Sequence, residues 1–210
     1  MKSIRRGRAL AGFMLLICAV LGSSSALAQI FEVTVDTRAI AGTTGYVDFQ
    51  LNPADISAPE VGASILDWAD SITLLGAPVI EGSVTGALPD TVRLSNSAAL
   101  NDYFQAVEFG DAIRFVVEFT GNPPFPSVRL GTSFALALYG EDAVSPLLSG
   151  DISGSLVRFE LALGNISYET FSSVAQVSPV PLPAAAWLLL SGLSGLIGVS
   201  RVRRQRTSDR

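Results

Sequence analysis

The residues of this sequence that could do chemistry are almost all carboxylates. Between Gln29 and Val180 there are 18 Asp and Glu residues and five Arg residues, with no Lys, His or Cys. The usual nucleophilic triads, a Ser–Lys pair and most transition-metal sites each need a residue type that this span lacks. Three kinds of activity remain: acid–base chemistry by paired carboxylates, coordination of a hard cation, and binding without a reaction.

Paired carboxylates could act as general acid and base, as they do in glycoside hydrolysis. The closest pairs in the sequence are Asp67 with Asp70 and Glu108 with Asp111. Both pairs are equally typical of solvated acidic loops. Among so many carboxylates, some pair will always satisfy the distance that a glycosidase needs. We therefore expect a protein that is not an enzyme. A cleft holding two facing carboxylates is the feature that would favour a carbohydrate-active enzyme instead.

Calcium is the cation that loop carboxylates and carbonyl oxygens would bind. Several acidic residues stand in predicted turns, but none fits the regular D-x-D-x-D-G loop. The stretches GEDA (140–143) and SGDISGS (149–155) are equally typical of plain turns. The sequence predicts no cofactor and leaves a structural calcium ion as an alternative. Its candidate ligands are Glu108, Asp111, Asp142 and Asp151.

Aromatic side chains exposed on a sheet face or loop tip could bind a sugar. Trp68 lies in LDWAD between two acidic residues, which is unlike the setting of a core tryptophan. Tyr103 and Tyr139 are the other two candidates. Isolated aromatic residues in such domains are most often packing residues, so a sugar site and a structural role both stay open for these three.

Apolar and polar residues alternate along the body with the period of two that buries one face of a strand. In YVDFQLN, Val47, Phe49 and Leu51 face inward, and Asp48 and Gln50 face outward. The stretches FEVTVDT, AIRFVVEFTG, SFALALYG, LVRFELALG and NISYETF repeat the pattern. Short strands at this spacing predict an all-β fold, an antiparallel β-sandwich or jelly-roll-like domain, over residues 29–171. Residues 64–70 and 98–107 are also consistent with short helices.

The charge of the chain is distributed unevenly. The span from Gln29 to Val180 has a net charge of −13, whereas nine of the 14 basic residues lie in the two end segments. An acidic body of this kind is repelled by nucleic acid and by anionic lipid. We therefore expect no nucleic-acid partner.

The first 28 residues have the three parts of a secretory signal peptide. A basic stretch is followed by 13 apolar residues, Ala9–Leu21, and then by the small residues Ala26 and Ala28. This order predicts export by a Sec-type route and cleavage by signal peptidase before Gln29. Cleavage would remove the single cysteine, so we expect a mature body without disulfides.

The C-terminal end predicts a single membrane span. Residues 172–180 form a predicted linker rich in proline at its end, and Leu182–Ser200 contains no charged residue across 19 positions. At about 1.5 Å per residue a helix over this stretch just crosses a hydrocarbon core of about 30 Å. We predict the helix over 184–200, with the body outside the inner membrane. The basic cluster that would keep the chain end in the cytoplasm is Arg201, Arg203, Arg204 and Arg206.

The order of a proline motif, a short apolar helix and an arginine cluster over 181–206 resembles the PEP-CTERM sorting signal of Gram-negative bacteria. The motif is Val180-Pro181-Leu182-Pro183, followed by two alanines, with Leu182 where the family name has Glu. The resemblance implies that an exosortase, an integral-membrane cysteine transpeptidase, cuts near this motif. It further implies a destination in the cell envelope, on the surface or outside the cell, and an association with exopolysaccharide and biofilm.

The body carries a second, less specific resemblance. FEVTVDTRAIAGTTGYVDFQLNP, followed by FGDAIRFVVEFTG and SFALALYG, is similar to a group of PEP-CTERM proteins that have no assigned activity. We therefore expect a non-enzymatic exported surface or matrix protein. A glycan-binding or calcium-dependent adhesion module is the alternative, and a carbohydrate-active enzyme is a third.

Overall fold

The computed structural model describes residues 29–121, 131–162 and 165–180. These residues form antiparallel β-strands and one short turn of 3-10 helix, Arg38–Ile40. The strands are β1 Gln29–Asp36, β2 Thr44–Pro53, β3 Val61–Asp70, β4 Thr73–Leu74, β5 Val79–Glu81, β6 Val84–Thr85, β7 Val92–Ser95, β8 Asp102–Glu108, β9 Ala112–Gly121, β10 Thr132–Gly140, β11 Ser155–Ala162, β12 Asn165–Thr170 and β13 Ala175–Pro179. The all-β, sandwich-like architecture expected from the sequence is confirmed.

The strands form two sheets. The first sheet has the order β13-β1-β9-β3-β7-β6, and the second has the order β12-β11-β10-β2-β8-β4. Strand β5 also pairs with β8, so β4 and β5 are two pieces of one interrupted edge. Strands β1, β2 and β3 alternate between the sheets, which places residues close in sequence on opposite layers.

The period of two in the sequence explains which face of each strand is buried. Val47, Phe49 and Leu51 of β2 are fully buried, as their alternation predicts. In β9 the buried residues are Ile113, Phe115, Val117 and Phe119. The apolar sides of β1 and β9 face the second sheet, and the apolar sides of β2 and β10 face the first. The two inner faces therefore form one continuous core.

Phenylalanine rings from both sheets interlock in the middle of this core. Phe49 of the second sheet meets Phe115 of the first with ring centroids 5.1 Å apart and nearly perpendicular planes. Phe119 of the first sheet lies 5.6 Å from Phe134 and 5.1 Å from Phe159 of the second. Edge-to-face contacts of this kind add to the free energy of burial, so these rings are the main contact between the layers.

Neither of the two ambiguous stretches forms a helix. Residues 64–70 belong to β3, and most of 98–107 belongs to β8. The alternation of β3 is interrupted by a bulge: Leu66 pairs with Val116, but Ala69 pairs with Arg114. Asp67 at this bulge has φ of 49°. The extra residue reverses the inside and outside positions, so that Trp68 packs inward and Asp67 is exposed.

The predicted linker over 172–180 contains a strand. Ala175–Pro179 forms β13 and lies beside β1 in the first sheet. Ala175 is buried, and Val177 packs partly against the core, so this stretch has its own inward-facing side. The predicted linker over 172–180 therefore overlaps an edge strand of the first sheet.

In the part of the chain that the structure describes, no helix is long and apolar enough to cross a membrane. The predicted signal peptide over 1–28 and the predicted membrane helix over 184–200 lie outside the described residues.

Candidate functional site

Two of the three aromatic candidates for sugar binding are core residues. Tyr103 is completely buried, and its hydroxyl accepts a hydrogen bond from the Leu88 backbone N–H at 2.9 Å. Trp68 packs against the core, with ring centroids 6.1 Å from Phe115 and 6.2 Å from Phe49. The Tyr103 ring is therefore closed to a sugar, and the Trp68 ring is partly covered by the core.

Tyr139 differs, because it lies on the outer face of the second sheet within an aromatic group. We call Tyr46, Phe104 and Tyr139 the aromatic roof. Tyr46 stacks on Phe104 with ring centroids 4.5 Å apart, and Tyr139 lies 6.0 Å from Phe104. Tyr139 is on β10 and Phe104 is on β8, so the two rings lean toward each other over the intervening strand β2.

The aromatic roof covers a pair of carboxyl groups that the sequence analysis did not select. Asp48 of β2 faces outward, directly opposite Phe104, yet it is only 2% exposed. Asp102 on β8 is its diagonal neighbour, opposite Gln50, and the Asp48 carboxyl accepts a hydrogen bond from the Gln50 side-chain amide at 2.7 Å. The Oδ1 atoms of both aspartates are buried and have no other donor in the described part of the chain.

Two carboxyl groups can share a hydrogen bond only while one of them keeps its proton. Burial comes first among the causes that raise the pKa of Asp48, followed by the hydrogen bond to Asp102 and the Asp102 charge; together they bring it to about 8. Burial, and then the charges of Asp48 and Asp102, also raise the pKa of the Tyr139 phenol. The raised pKa means that the Asp48 carboxyl keeps its proton at neutral pH.

This pair is poorly arranged for catalysis. A glycosidase needs two carboxyl groups separated by room for the sugar bond, and in retaining enzymes they stand about 5 Å apart across a cleft. Asp48 and Asp102 are instead diagonal neighbours on adjacent strands, and Asp48 is closed off from solvent. The arrangement stores a proton inside the fold, and it offers no open position for a substrate.

Two of the calcium candidates are engaged in their own turns. The Asp142 carboxylate accepts hydrogen bonds from the Ser145 hydroxyl and from the backbone N–H groups of Ser145 and Val144, the latter two at 2.8 Å and 3.0 Å, and in that order they lower its pKa. Asp151 forms an ion pair with Arg158 at 3.1 Å. Both carboxylates already have donors, so both act as turn-stabilising groups.

The other two calcium candidates lie at the end of β8 and in the loop after it. Glu108 is exposed and pairs through its backbone with Thr44 and Thr73. Asp111 is also exposed, and its backbone N–H donates to the Ser71 hydroxyl at 2.6 Å. Among the residues that the structure describes, no group of three or more acidic side chains is arranged to hold a metal ion.

A groove of about 710 Å³ lies on the outer face of the first sheet. Cross-strand register places its floor: Ser64 of β3 lies opposite Arg93 of β7, and Gly62 lies opposite Ser95 and Thr120. A Cβ on Gly62 would lie 2.9 Å from the Thr120 hydroxyl oxygen, so glycine at this position keeps the floor open. The volume lies within the range of small-molecule sites.

The groove has polar groups that are not used by the fold. Arg93 is exposed and has no carboxylate within 4.0 Å in the described part of the chain, whereas Arg38, Arg114 and Arg158 each form an ion pair. The Ser95 hydroxyl oxygen has no hydrogen-bond partner among the described atoms, but it is buried beneath the groove surface. Glu60 lines one part of the groove. The arrangement is that of a hydrogen-bonding surface with hydroxyl groups and one cation.

The chain matches no protein-family model, no curated protein and no solved structure. What the molecule does must therefore be argued from its own residues.

Proposed function

We propose that this chain is an exported, non-enzymatic protein of the cell surface or extracellular matrix, processed at its C-terminal end by an exosortase. The observation that carries the proposal is the sequence order at that end. Val180-Pro181-Leu182-Pro183 follows β13 directly, and an uncharged stretch and four arginines come next. A cleavage enzyme that reads this tail would release or transfer a body that is folded up to the motif.

The described body supports a role without catalysis. Its Asp48 carboxyl is buried beside the aromatic roof, Asp142 accepts hydrogen bonds in its own turn, and Asp151 pairs with Arg158. What the outer faces offer is hydrogen-bonding and aromatic surface. We propose no cofactor for the body and a structural or adhesive role in contact with exopolysaccharide.

We also assign the sandwich to the jelly-roll type. Strands β1, β9, β3 and β7 lie side by side in the first sheet, and β2, β8 and the edge pieces β4 and β5 lie side by side in the second. Chain segments that alternate between two sheets in this way are typical of interleaved Greek keys. Strands β10, β11 and β12 extend the second sheet beyond that set.

A glycan-binding module is the second candidate function, and the groove on the first sheet favours it. The groove has the volume, the hydroxyl lining and the unpaired arginine that a polyhydroxylated ligand would use. The aromatic candidates from the sequence do not support it equally, because only Tyr139 stands on an outer face. The two candidates are compatible, since a matrix protein that binds polysaccharide satisfies both.

The experiment that tests the proposal compares tail variants in the native host. Pro181 and Pro183 are replaced together by alanine, and the exposed body proline Pro146 is replaced by alanine as the matched control. We expect the control chain to leave the inner membrane fraction like the natural chain. We expect the double variant to accumulate in the inner membrane at its full, signal-free length. The same distribution for all three chains would contradict processing at the motif.

A further inference from the structure

We propose that the groove on the outer face of the first sheet binds a segment of a neutral polysaccharide. This inference rests on the proposed function, which places the body among polysaccharides, and it adds the site and the ligand class. The groove crosses β6, β7, β3 and β9, which at about 4.8 Å per strand is roughly 14 Å. That span suits a short run of linked sugar rings.

The lining residues select a ligand rich in hydroxyl groups. Ser64, Thr85 and Thr120 contribute hydroxyls that both donate and accept hydrogen bonds. Sugar hydroxyls have the same dual capacity, so each contact can form in either direction. The Ser95 hydroxyl oxygen is buried beneath this surface, so the exposed hydroxyls of the neighbouring strands make the contacts.

Arg93 is the residue expected to contribute most to binding. It lies opposite Ser64 and Thr85 on the neighbouring strands, and it is exposed without a carboxylate partner in the described residues. Its guanidinium has five N–H donors fixed in one plane. Hydrogen bonds from a charged donor are stronger than those between neutral groups. Sugar oxygens that bind Arg93 therefore form stronger hydrogen bonds than those that bind the serines.

The charges around the groove favour a neutral ligand over an acidic one. Glu60 lines the groove, and Glu118 lies directly opposite Ser64 on β9, so the positive charge of Arg93 has acidic neighbours on two sides. The span from Gln29 to Val180 adds a net charge of −13. A polymer of uronic acids would be repelled by these carboxylates. A neutral polymer could use Arg93 as a donor and Glu60 as an acceptor without that repulsion.

Affinity electrophoresis with the full chain tests this inference. The protein is kept in a detergent without a sugar head group, and native gels contain dextran, hydroxyethyl cellulose, galactomannan or polygalacturonate. We expect at least one neutral polymer to retard the chain and polygalacturonate not to retard it. Replacing Arg93 by alanine should weaken the retardation about 10- to 100-fold, which corresponds to the loss of one or two charged hydrogen bonds.

Arg114→Ala is the matched control, because Arg114 lies on the same sheet but pairs with Glu32. We expect it to bind like the natural chain, and near-UV circular dichroism checks that both variants are folded. If Arg93→Ala is not folded, Arg93→Gln takes its place. The inference is overturned if no neutral polymer binds, if polygalacturonate binds more tightly, or if both arginine variants bind equally. A chain that is exported and trimmed but binds no polymer would overturn only this inference and leave the proposed function intact.

Discussion

Replacing Asp48 by asparagine should remove a large part of the pH dependence of folding. The asparagine amide can donate to the Asp102 carboxylate, as the protonated Asp48 carboxyl does, and it has nearly the same volume. The variant therefore keeps the hydrogen bond below the aromatic roof but has no proton to lose. Tyr139 of β10 lies on the same outer face, and because burial raises the pKa of its phenol it carries no charge at neutral pH.

The magnitude follows from the raised pKa. An unfolded aspartate loses its proton near pH 4, whereas burial and the contact with Asp102 hold the pKa of Asp48 at about 8 in the folded protein. Between these values the folded state binds one more proton than the unfolded state, so the free energy of unfolding falls as pH rises. The slope is about 1.4 kcal/mol per pH unit, or roughly 3 kcal/mol from pH 5 to pH 7.

The assay is urea unfolding of the exported chain at pH 5, 6 and 7, followed by circular dichroism. We expect the natural chain to lose about 3 kcal/mol more across this range than Asp48→Asn does. Asp90→Asn is the control, because Asp90 is exposed in a turn. It should keep the slope of the natural chain. Parallel pH profiles for the natural chain and Asp48→Asn would refute the shared proton.

Three further substitutions test the packing. Asn96→Ala removes hydrogen bonds to the Val61 N–H and the Thr132 hydroxyl at 2.9 Å and 2.7 Å, and we expect urea unfolding to show a loss of about 2–4 kcal/mol; a loss no larger than that of the exposed Ser97→Ala would contradict this. Phe49→Ala opens a cavity among the core rings and should cost about 3–5 kcal/mol, and a cost as small as that of the half-buried Phe104→Ala would argue against the interlocked core. Asp67→Val forces a branched side chain into positive φ and should lower the thermal midpoint, whereas Asp67→Gly should not. Equal midpoints for the two variants would contradict a left-handed backbone at the bulge.

The strands were predictable because their inner faces follow a simple alternation. The pattern of YVDFQLN correctly places Phe49 inward, and the same rule places Tyr103 with the buried Gln105 and Val107 of β8. Trp68 could not be placed in this way. The bulge at Asp67 reverses the alternation, and one added residue in a strand leaves no clear mark in composition.

The two most informative polar features depend on pairing between strands that are distant in sequence. Asp48 occupies an outward position, so the alternation alone predicts exposure. It is nevertheless buried between β8 and β10, which carry Phe104 and Tyr139 on the same face. The groove likewise exists because register brings Ser64 beside Arg93. The sequence contains only a weak sign that Asp48 is buried, which is that the aromatic residues Tyr46 and Phe49 stand close on either side of it.

The strand β13 shows a different limit. Prolines near Pro179 suggested an extended linker, and extended backbone is also what a strand needs. The distinction depends on Ala175 and Val177, which face the core beside β1. Their two-residue spacing is too short a pattern to separate a strand from a linker.

The intact mass of the protein from its native host, and from a strain without the exosortase, tests the central claim most directly. The account predicts a species that begins at Gln29 and ends near Pro181 only when the exosortase is present. A species that retains Arg201–Arg210 in both strains would contradict the account and make the tail a permanent inner-membrane anchor.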